Sequence, residues 1–330
     1  MANYCRTMLW TLMIILCVPP PRALVNCKLL KRDVKALNEI QSCLGWKVVY
    51  AWVGDDPCGD QWAGITCSPH PSLPNYQVVS QLELYGVSIA GHFPMAVTNL
   101  LDLTKLDLHG NKLVGAIPPQ IGRLKKLRTL NLRWNKLQDS IPPEIGELKE
   151  LRNLYLSFNN LKGPIPKELG NLPELRYLYL HENRLAGHIP SELGNLRHLR
   201  HLDVSNNRLV GTIRELIRTE GCFLSLRYLY INHNYFTGGV PSQLANLQNL
   251  EIVYLSHNKI SGPIPAELAS LPRLTYLFLE HNSFSGRIPD AFYEHPHLKE
   301  MYIKGNRFHS GATPIGVHRT MEVSDTELLF

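Results

Sequence analysis

The chain has 330 residues, 44% hydrophobic and 19% charged, which is enough apolar mass for a large core and argues against disorder. Its formal net charge of +6, two units of which come from Arg6 and Arg22, gives no concentrated basic stripe and no argument for a nucleic-acid partner.

In chain order, Arg6 precedes the apolar run Met8–Val18, which is closed by Pro19, Pro20 and Pro21. That run is too short to span a bilayer, which takes about 20 residues, but it has the length of a signal-peptide core. Residues 1–26 are therefore expected to be a secretory signal cut between residues 20 and 27, with an N-terminal anchor as the competing reading. No later run has the apolar length of a transmembrane helix, and the terminal Asp-Thr-Glu-Leu-Leu-Phe is too short and acidic for a lipid-anchor signal. A secreted chain in an oxidising compartment is expected. Five cysteines then remain: Cys27, Cys43, Cys58, Cys67 and Cys222. Cys58 and Cys67 close a short polar loop carrying Trp62, with a spacing unlike a zinc site, so a disulfide is expected there. Cys27 with Cys43 is the open second pairing, and Cys222 is the odd thiol.

From Val79 onward one 24-residue pattern recurs, Leu-x-x-Leu-x-Leu-x-x-Asn-x-Leu-x-Gly-x-Ile-Pro-x-x-Leu-x-x-Leu-x-x. Copies begin at Val79, Leu103, Leu127, Leu151, Leu175, Leu199, Leu226, Leu250, Leu274 and Leu298, and the last loses the pattern after Phe308. Self-similarity at such a period signals a solenoid, in which each copy buries its leucines against its neighbours. The Leu-x-x-Leu-x-Leu segment reads as a short strand in a parallel sheet. The ninth position holds Asn111, Asn135, Asn159, Asn183, Asn207, Asn234, Asn258, Asn282 and Asn306, with Val87 in that place in the first copy. A buried amide needs partners, so these nine are expected to bond backbone groups of adjacent turns and to be structural. In Gly-x-Ile-Pro the glycine permits a bend, the isoleucine buries, and the proline suits an edge or the end of an extended piece. Asp139 replaces that glycine in one copy and Arg214 replaces the proline in another, just before a three-residue insertion around 218–225. That loop is expected to bulge from the rim, as a contact site or as a tolerated surface insertion.

These motifs resemble the plant-type extracellular leucine-rich-repeat proteins, of which Gly-x-Ile-Pro marks a subtype. Residues 27–78 resemble that family's N-terminal cap, with Asp33 capping a helix whose Val34, Leu37, Ile40 and Leu44 share a face, followed by Trp52, Asp-Pro-Cys58, Trp62 and Gly-Ile-Thr-Cys67. The expected architecture is an α/β solenoid, a curved superhelix with a parallel concave sheet and a helical N-terminal cap. Its parts are a signal (1–26), a cap (27–78), ten repeats (79–308) and a closing tail (309–330) packed through Ile315, Val317, Met321 and Val323. The resemblance implies a receptor ectodomain, a co-receptor or a soluble inhibitor. The glycine-rich and catalytic loops of a kinase are absent from the sequence, as are Asn-x-Ser/Thr sequons and the C-terminal cysteine pair frequent in such solenoids.

With the fold absorbing the leucine columns, function is expected in positions 3, 5, 7 and 8 of each copy, which point out of the inner sheet. Position 5 reads Glu83, Asp107, Asn131, Tyr155, Tyr179, Asp203, Tyr230, Tyr254, Phe278 and Tyr302, and position 3 adds Tyr177, Tyr228 and Tyr276. Strands stack about 4.8 Å apart, so these rings are expected to form a continuous stripe. Such a stripe suits partner binding; the competing reading is that neighbouring rings only cover one another. Position 2 lines one margin with Arg128, Arg152, Arg176, Arg200 and Arg227, which suggests a carboxylate-bearing partner beside the stripe, Arg176 and Arg200 included. At position 8, His233, His257 and His281 are expected to stack, as a pH-sensitive column or as a tolerant turn position; a zinc site lacks further ligands. No catalytic motif, metal site or cofactor site is present in the sequence. The expected function is a secreted, non-enzymatic binder in the apoplast or cell wall. It would recognise a protein or peptide partner, such as a receptor-kinase ectodomain, in plant signalling or defence. The alternative is an inhibitor of a cell-wall-degrading enzyme, like the polygalacturonase-inhibiting proteins, whose cap and C-terminal cysteines are missing here.

Overall fold

The computed structural model describes residues 27–43, 52–217, 221–308 and 322–324. The expected signal (1–26), residues Leu44, Ile315, Val317 and Met321, the side chains of Cys43 and Val323, and residues 218–220 of the insertion all lie outside the described residues and their side chains.

A strand of a parallel sheet alternates its side chains between two faces, and the central leucine of each copy's strand takes the buried one. Each of the nine copies from Leu103 to Leu298 contributes one three-residue strand, from Lys105–Asp107 to Glu300–Tyr302, with the middle residue buried and its neighbours mostly half-buried. Like columns pair across the sheet: Leu106 with Leu130, Leu154 with Leu178, and Leu202 with Leu229. The last pair spans the longer copy, so the insertion is absorbed outside the sheet. These strands belong to one thirteen-stranded sheet, parallel throughout except where Ile65–Pro69 runs antiparallel to Tyr76–Glu83. At the far end Glu322–Ser324 pairs with Glu300–Tyr302 and extends the sheet by one strand.

On the other side of each turn, three small parallel sheets run through the Gly-x-Ile-Pro segments. Gly115 and Gly163 take φ of +77° and +78°, where a side chain is strained. Asp139 takes φ +64° in the same column, a conformation that short polar side chains tolerate best, with Lys162 Nζ 3.0 Å from its carboxylate. The prolines do more than mark an edge. Pro118, Pro166 and Pro265 each start a 3-10 turn (Pro119–Arg123, Lys167–Asn171, Ala266–Ser270), because their fixed φ presets the entry. In the copy carrying Arg214 that turn becomes a short helix, Ile213–Leu216, capped by the Thr212 hydroxyl accepting from the Glu215 amide at 3.3 Å.

The asparagines act as rungs. Asn135 Nδ2 donates to the carbonyls of Leu108 and Leu132 at 3.0 and 3.2 Å, while its Oδ1 accepts from the Leu113 amide at 3.0 Å. The same three-way pattern recurs from Asn111 to Asn306. Each amide thus satisfies backbone groups that the strand leaves open, in its own turn and the preceding one.

The N-terminal end is covered by helix α1, Lys31–Cys43, whose Ala36, Leu37 and Ile40 are buried. Asp33 does not cap this helix. It lies fully buried within it, and its carboxylate accepts from the Val79 amide at 2.9 Å, satisfying the first copy's strand where no earlier turn exists to do so. Arg32 bridges Asp33 and Asp102, and Lys126 also reaches Asp102, tying the helix to the first copies. Cys58 and Cys67 are bridged, with Cα atoms 5.9 Å apart, beside the stacked indoles of Trp52 and Trp62, whose centroids are 4.9 Å apart. Each indole N–H donates to a carbonyl, of Ala63 and Val53 respectively. Cys27 is a free thiol 3.8 Å from the Pro74 carbonyl, and Cys222 is free and buried.

Candidate partner-binding surface on the inner sheet

The register that stacks leucine on leucine also stacks ring on ring. In position 5, Tyr155 and Tyr179 have centroids 5.2 Å apart, Tyr254 and Phe278 4.5 Å, and Phe278 and Tyr302 4.9 Å with planes 5° apart. The column is interrupted at Asp203, and the gap is closed from position 3. The imidazole of His201 stacks on Tyr179 at 4.3 Å and on Tyr230 at 5.1 Å, and lies 5.5 Å from Tyr228. Tyr230 continues to Tyr254 at 6.0 Å, and Tyr276 flanks Phe278 at 6.2 Å. The ladder therefore runs unbroken from Tyr155 to Tyr302 and includes a histidine that sequence reasoning left out, although its position-3 column was in view. Tyr177 stands beside Tyr179 in the same strand. The rings are half-buried against one another, not freely exposed.

Burial tunes this surface. The Tyr179 and Tyr230 phenols are pushed up to about 12, first by burial and then by neighbouring tyrosine and Asp203 oxygens. Burial pulls His201 down to about 4 against the opposing attraction of Asp203. Asp203 is held below its usual range by its partners despite burial: His181 Nδ1 at 2.9 Å and Ser205 Oγ at 2.6 Å.

Position 8 forms a second column, and all its residues sit at positive φ. His233, His257 and His281 stack at 4.1 and 4.4 Å, with His257 lowered to about 4 by burial and by the flanking imidazoles. Trp134 and Phe158 stack at 3.7 Å with planes 7° apart, a pair that the sequence reading did not single out. Gly110 and Gly305 occupy the same position with no side chain. The first copies differ throughout: Lys105 pairs with Glu83, Asp107 with His109 Nδ1 at 2.7 Å, and Asn131 donates to Asp107 at 3.1 Å.

The comparisons with known proteins match this geometry. Residues 63–212 match the leucine-rich repeat region family and residues 225–284 the leucine rich repeat family. The chain is a leucine-rich-repeat protein. Similar solved structures include the plant peptide hormone receptor RGFR1 in complex with RGF2, 37% identical over 68% of this chain and 35% of that one, with TM-score 0.65. A second is the ectodomain of the membrane receptor kinase GASSHO1/SCHENGEN3 from Arabidopsis thaliana in complex with CASPARIAN STRIP INTEGRITY FACTOR 2, 36% identical over 69% and 27%, TM-score 0.66. A plant ice-binding protein is 27% identical over 88% of this chain and 98% of its own, TM-score 0.65. The chain thus spans about a third or less of the two receptor structures. No curated protein matches it.

Within this repeat protein the arginine margin divides. Arg128 pairs with Glu150 at 3.1 Å and Arg227 with Glu251 at 3.4 Å, whereas Arg152, Arg176 and Arg200 make no ion pair among the described residues. On the inner face Arg133 lies 5.2 Å over the Tyr155 ring, and its Nε is enclosed without a partner, as are Ser157 Oγ, His201 Nε2 and Asn232 Oδ1. Among the described residues no cluster of His, Cys, Asp or Glu is arranged to hold a metal ion, and no helix is long and apolar enough to cross a membrane.

Proposed function

We propose that this leucine-rich-repeat protein is a secreted, non-enzymatic binder that recognises a protein or peptide partner on the inner sheet, along the ladder from Tyr155 to Tyr302. The observation that carries this reading is placement. The core needs only the leucine columns, yet nine aromatic residues of positions 3 and 5 gather on one solvent-facing surface: Tyr155, Tyr177, Tyr179, Tyr228, Tyr230, Tyr254, Tyr276, Phe278 and Tyr302. Aromatic rings give large contact area at low entropy cost, which is why they are enriched at interfaces. The scaffold is shared by a peptide hormone receptor, a membrane receptor kinase and an ice-binding protein, so the scaffold alone does not choose the ligand and the variable columns must. Two of the similar ectodomains are receptors in complex with RGF2 and with CASPARIAN STRIP INTEGRITY FACTOR 2, which supports a peptide or receptor partner in plant extracellular signalling or defence.

Affinity capture from plant extracellular fluid, with the chain from Cys27 onward as bait, tests this. A protein or peptide should be retained by the parent and lost from the Tyr254→Ala/Phe278→Ala variant. Retention of the same species by both would place binding elsewhere. Undiminished inhibition of a fungal polygalacturonase by the double variant would favour the inhibitor reading.

A further inference from the structure

The carboxylates and guanidiniums of the inner face are treated differently. In columns 3, 5 and 7 every carboxylate has a partner: Glu83 with Lys105, Asp107 with His109, Asp203 with His181, Glu280 with Ser256, and Glu300 with the Tyr302 hydroxyl. The guanidiniums around Tyr155 and Tyr179 have no carboxylate partner among the described residues. Arg152, Arg176 and Arg200 stand at position 2 of three successive strands, joined through Arg176 N–H to Arg152 O and Arg200 N–H to Arg176 O, both 2.8 Å. Strands about 4.8 Å apart hold their side chains in a like-charge row. The flanking members of that column, Arg128 and Arg227, are neutralised by glutamates of this chain, whereas at the three central strands no ion pair forms among the described residues. Across the ladder, Arg133 is a fourth uncompensated guanidinium, with Nε enclosed and the buried Ser157 hydroxyl of the next strand also without a partner. Glu174 follows Arg152 at the spacing by which Glu150 follows Arg128, and Glu182 stands on the position-8 edge, yet neither is in an ion pair with the set among the described residues.

We infer that Arg152, Arg176 and Arg200 form a receiving site for a row of carboxylates on an extended acidic segment of the protein or peptide partner, laid across the strands over Tyr155, Tyr177 and Tyr179, with Arg133 flanking it on the far margin. This rests on the reading of the ladder as the binding surface. Guanidinium and carboxylate match in geometry as paired donors and acceptors, and partly desolvated pairs beside aromatic rings gain more than free surface pairs. In an extended segment alternate side chains face the same way, so a residue pattern with an acid at every second place sets carboxylates on one side and its other side chains on the ladder.

The probe is a fluorescent octapeptide of alternating glutamate and tyrosine, with alternating lysine and tyrosine as its counterpart, titrated against the chain from Cys27 onward. The acidic probe should bind at least tenfold more tightly than the basic one. Its affinity should fall tenfold or more when NaCl is raised from about 50 to 300 mM, since exposed charge pairs are screened over about 10 Å at 0.1 M salt. Arg152→Gln/Arg176→Gln/Arg200→Gln should abolish that preference while leaving the melting temperature unchanged. Equal binding of both probes, no binding of either, or an unaltered preference in the triple variant overturns the inference; so does arginine-dependent binding of polygalacturonate without binding of the acidic probe. The two readings separate on the captured partner. Loss with Tyr254→Ala/Phe278→Ala but not with the arginine variant removes this inference alone, and indifference to both removes the ladder reading as well.

Discussion

The inner face of the first copies and that of the later ones rest on the same leucine core and differ in their position-5 column. From Val79 to the copy at Leu127, the position-5 column is Glu83, Asp107 and Asn131, and the polar groups answer one another within the chain. From Leu151 onward the same positions hold rings that cover one another, except at Asp203, where His201 fills the gap, above buried polar atoms at Ser157, His201 and Asn232 that have no partner among the described residues. Beneath both, Leu106, Leu130, Leu154 and Leu178 are equally buried. The difference shows that the face is independent of the fold: the solenoid accepts a self-neutralised polar surface or an aromatic one without change of register.

The largest effect should be blind to this division. Leu106→Ala in the polar half and Leu178→Ala in the aromatic half should each cost about 2–5 kcal/mol in denaturant unfolding, because both strip a fully buried leucine. A markedly smaller cost in either half would mean the two halves do not share one core. Opening Cys58–Cys67 by serine substitution comes next, at about 2–3 kcal/mol for so short a loop. The loss should appear as earlier hydrogen exchange at the helix end of the solenoid, with the ladder strands protected as before; uniform loss of protection would show one cooperative unit instead.

The aromatic half should also respond to acid. His201 titrates near 4 when folded and near 6.5 when unfolded, so below about 6.5 the unfolded chain takes up a proton that the folded chain refuses. Stability contributed by the neutral ring is full above about 6.5 and is lost progressively as pH falls to about 4. His257, lowered for the same reason and also by its stacked neighbours, acts with the same sign. Urea midpoints measured from pH 7 to 4 should fall, and His201→Asn should flatten part of that slope; an unchanged slope in the variant would remove His201 from the ladder's energetics. The smallest effect belongs to position 8. Replacing His257 by Asn, which tolerates its φ of +55°, exchanges ring stacking for relief of strain and should shift stability by less than about 1 kcal/mol.

Much of this was legible in the 24-residue period. A repeat of fixed length carries its own register, so the parallel sheet, the asparagine rungs and the stacking of Tyr254 on Phe278 follow from spacing alone. What escaped were side chains acting outside their own column. Asp33 reads as a helix cap by type and position, but the otherwise unpaired Val79 amide at the end of the sheet claims its carboxylate. His201 reads as one more position-3 residue until Asp203 withdraws toward His181 and leaves room between Tyr179 and Tyr230. Trp134 and Phe158 fall in a column of mixed residue types, and only the positive φ shared by that column shows that its rings are set by one backbone geometry.

The central claim is that partner binding belongs to the aromatic half. The dissociation constant of the captured partner, measured by calorimetry, tests it with two double variants matched for retained melting temperature. Tyr254→Ala/Phe278→Ala removes two ladder rings, and Glu83→Ala/Lys105→Ala removes an ion pair from the polar half without changing net charge. The account predicts a loss of about 30-fold or more for the first, from more than about 1 kcal/mol per anchoring ring, and less than about threefold for the second. Equal losses from the two variants, or an undiminished affinity in the first, would contradict it.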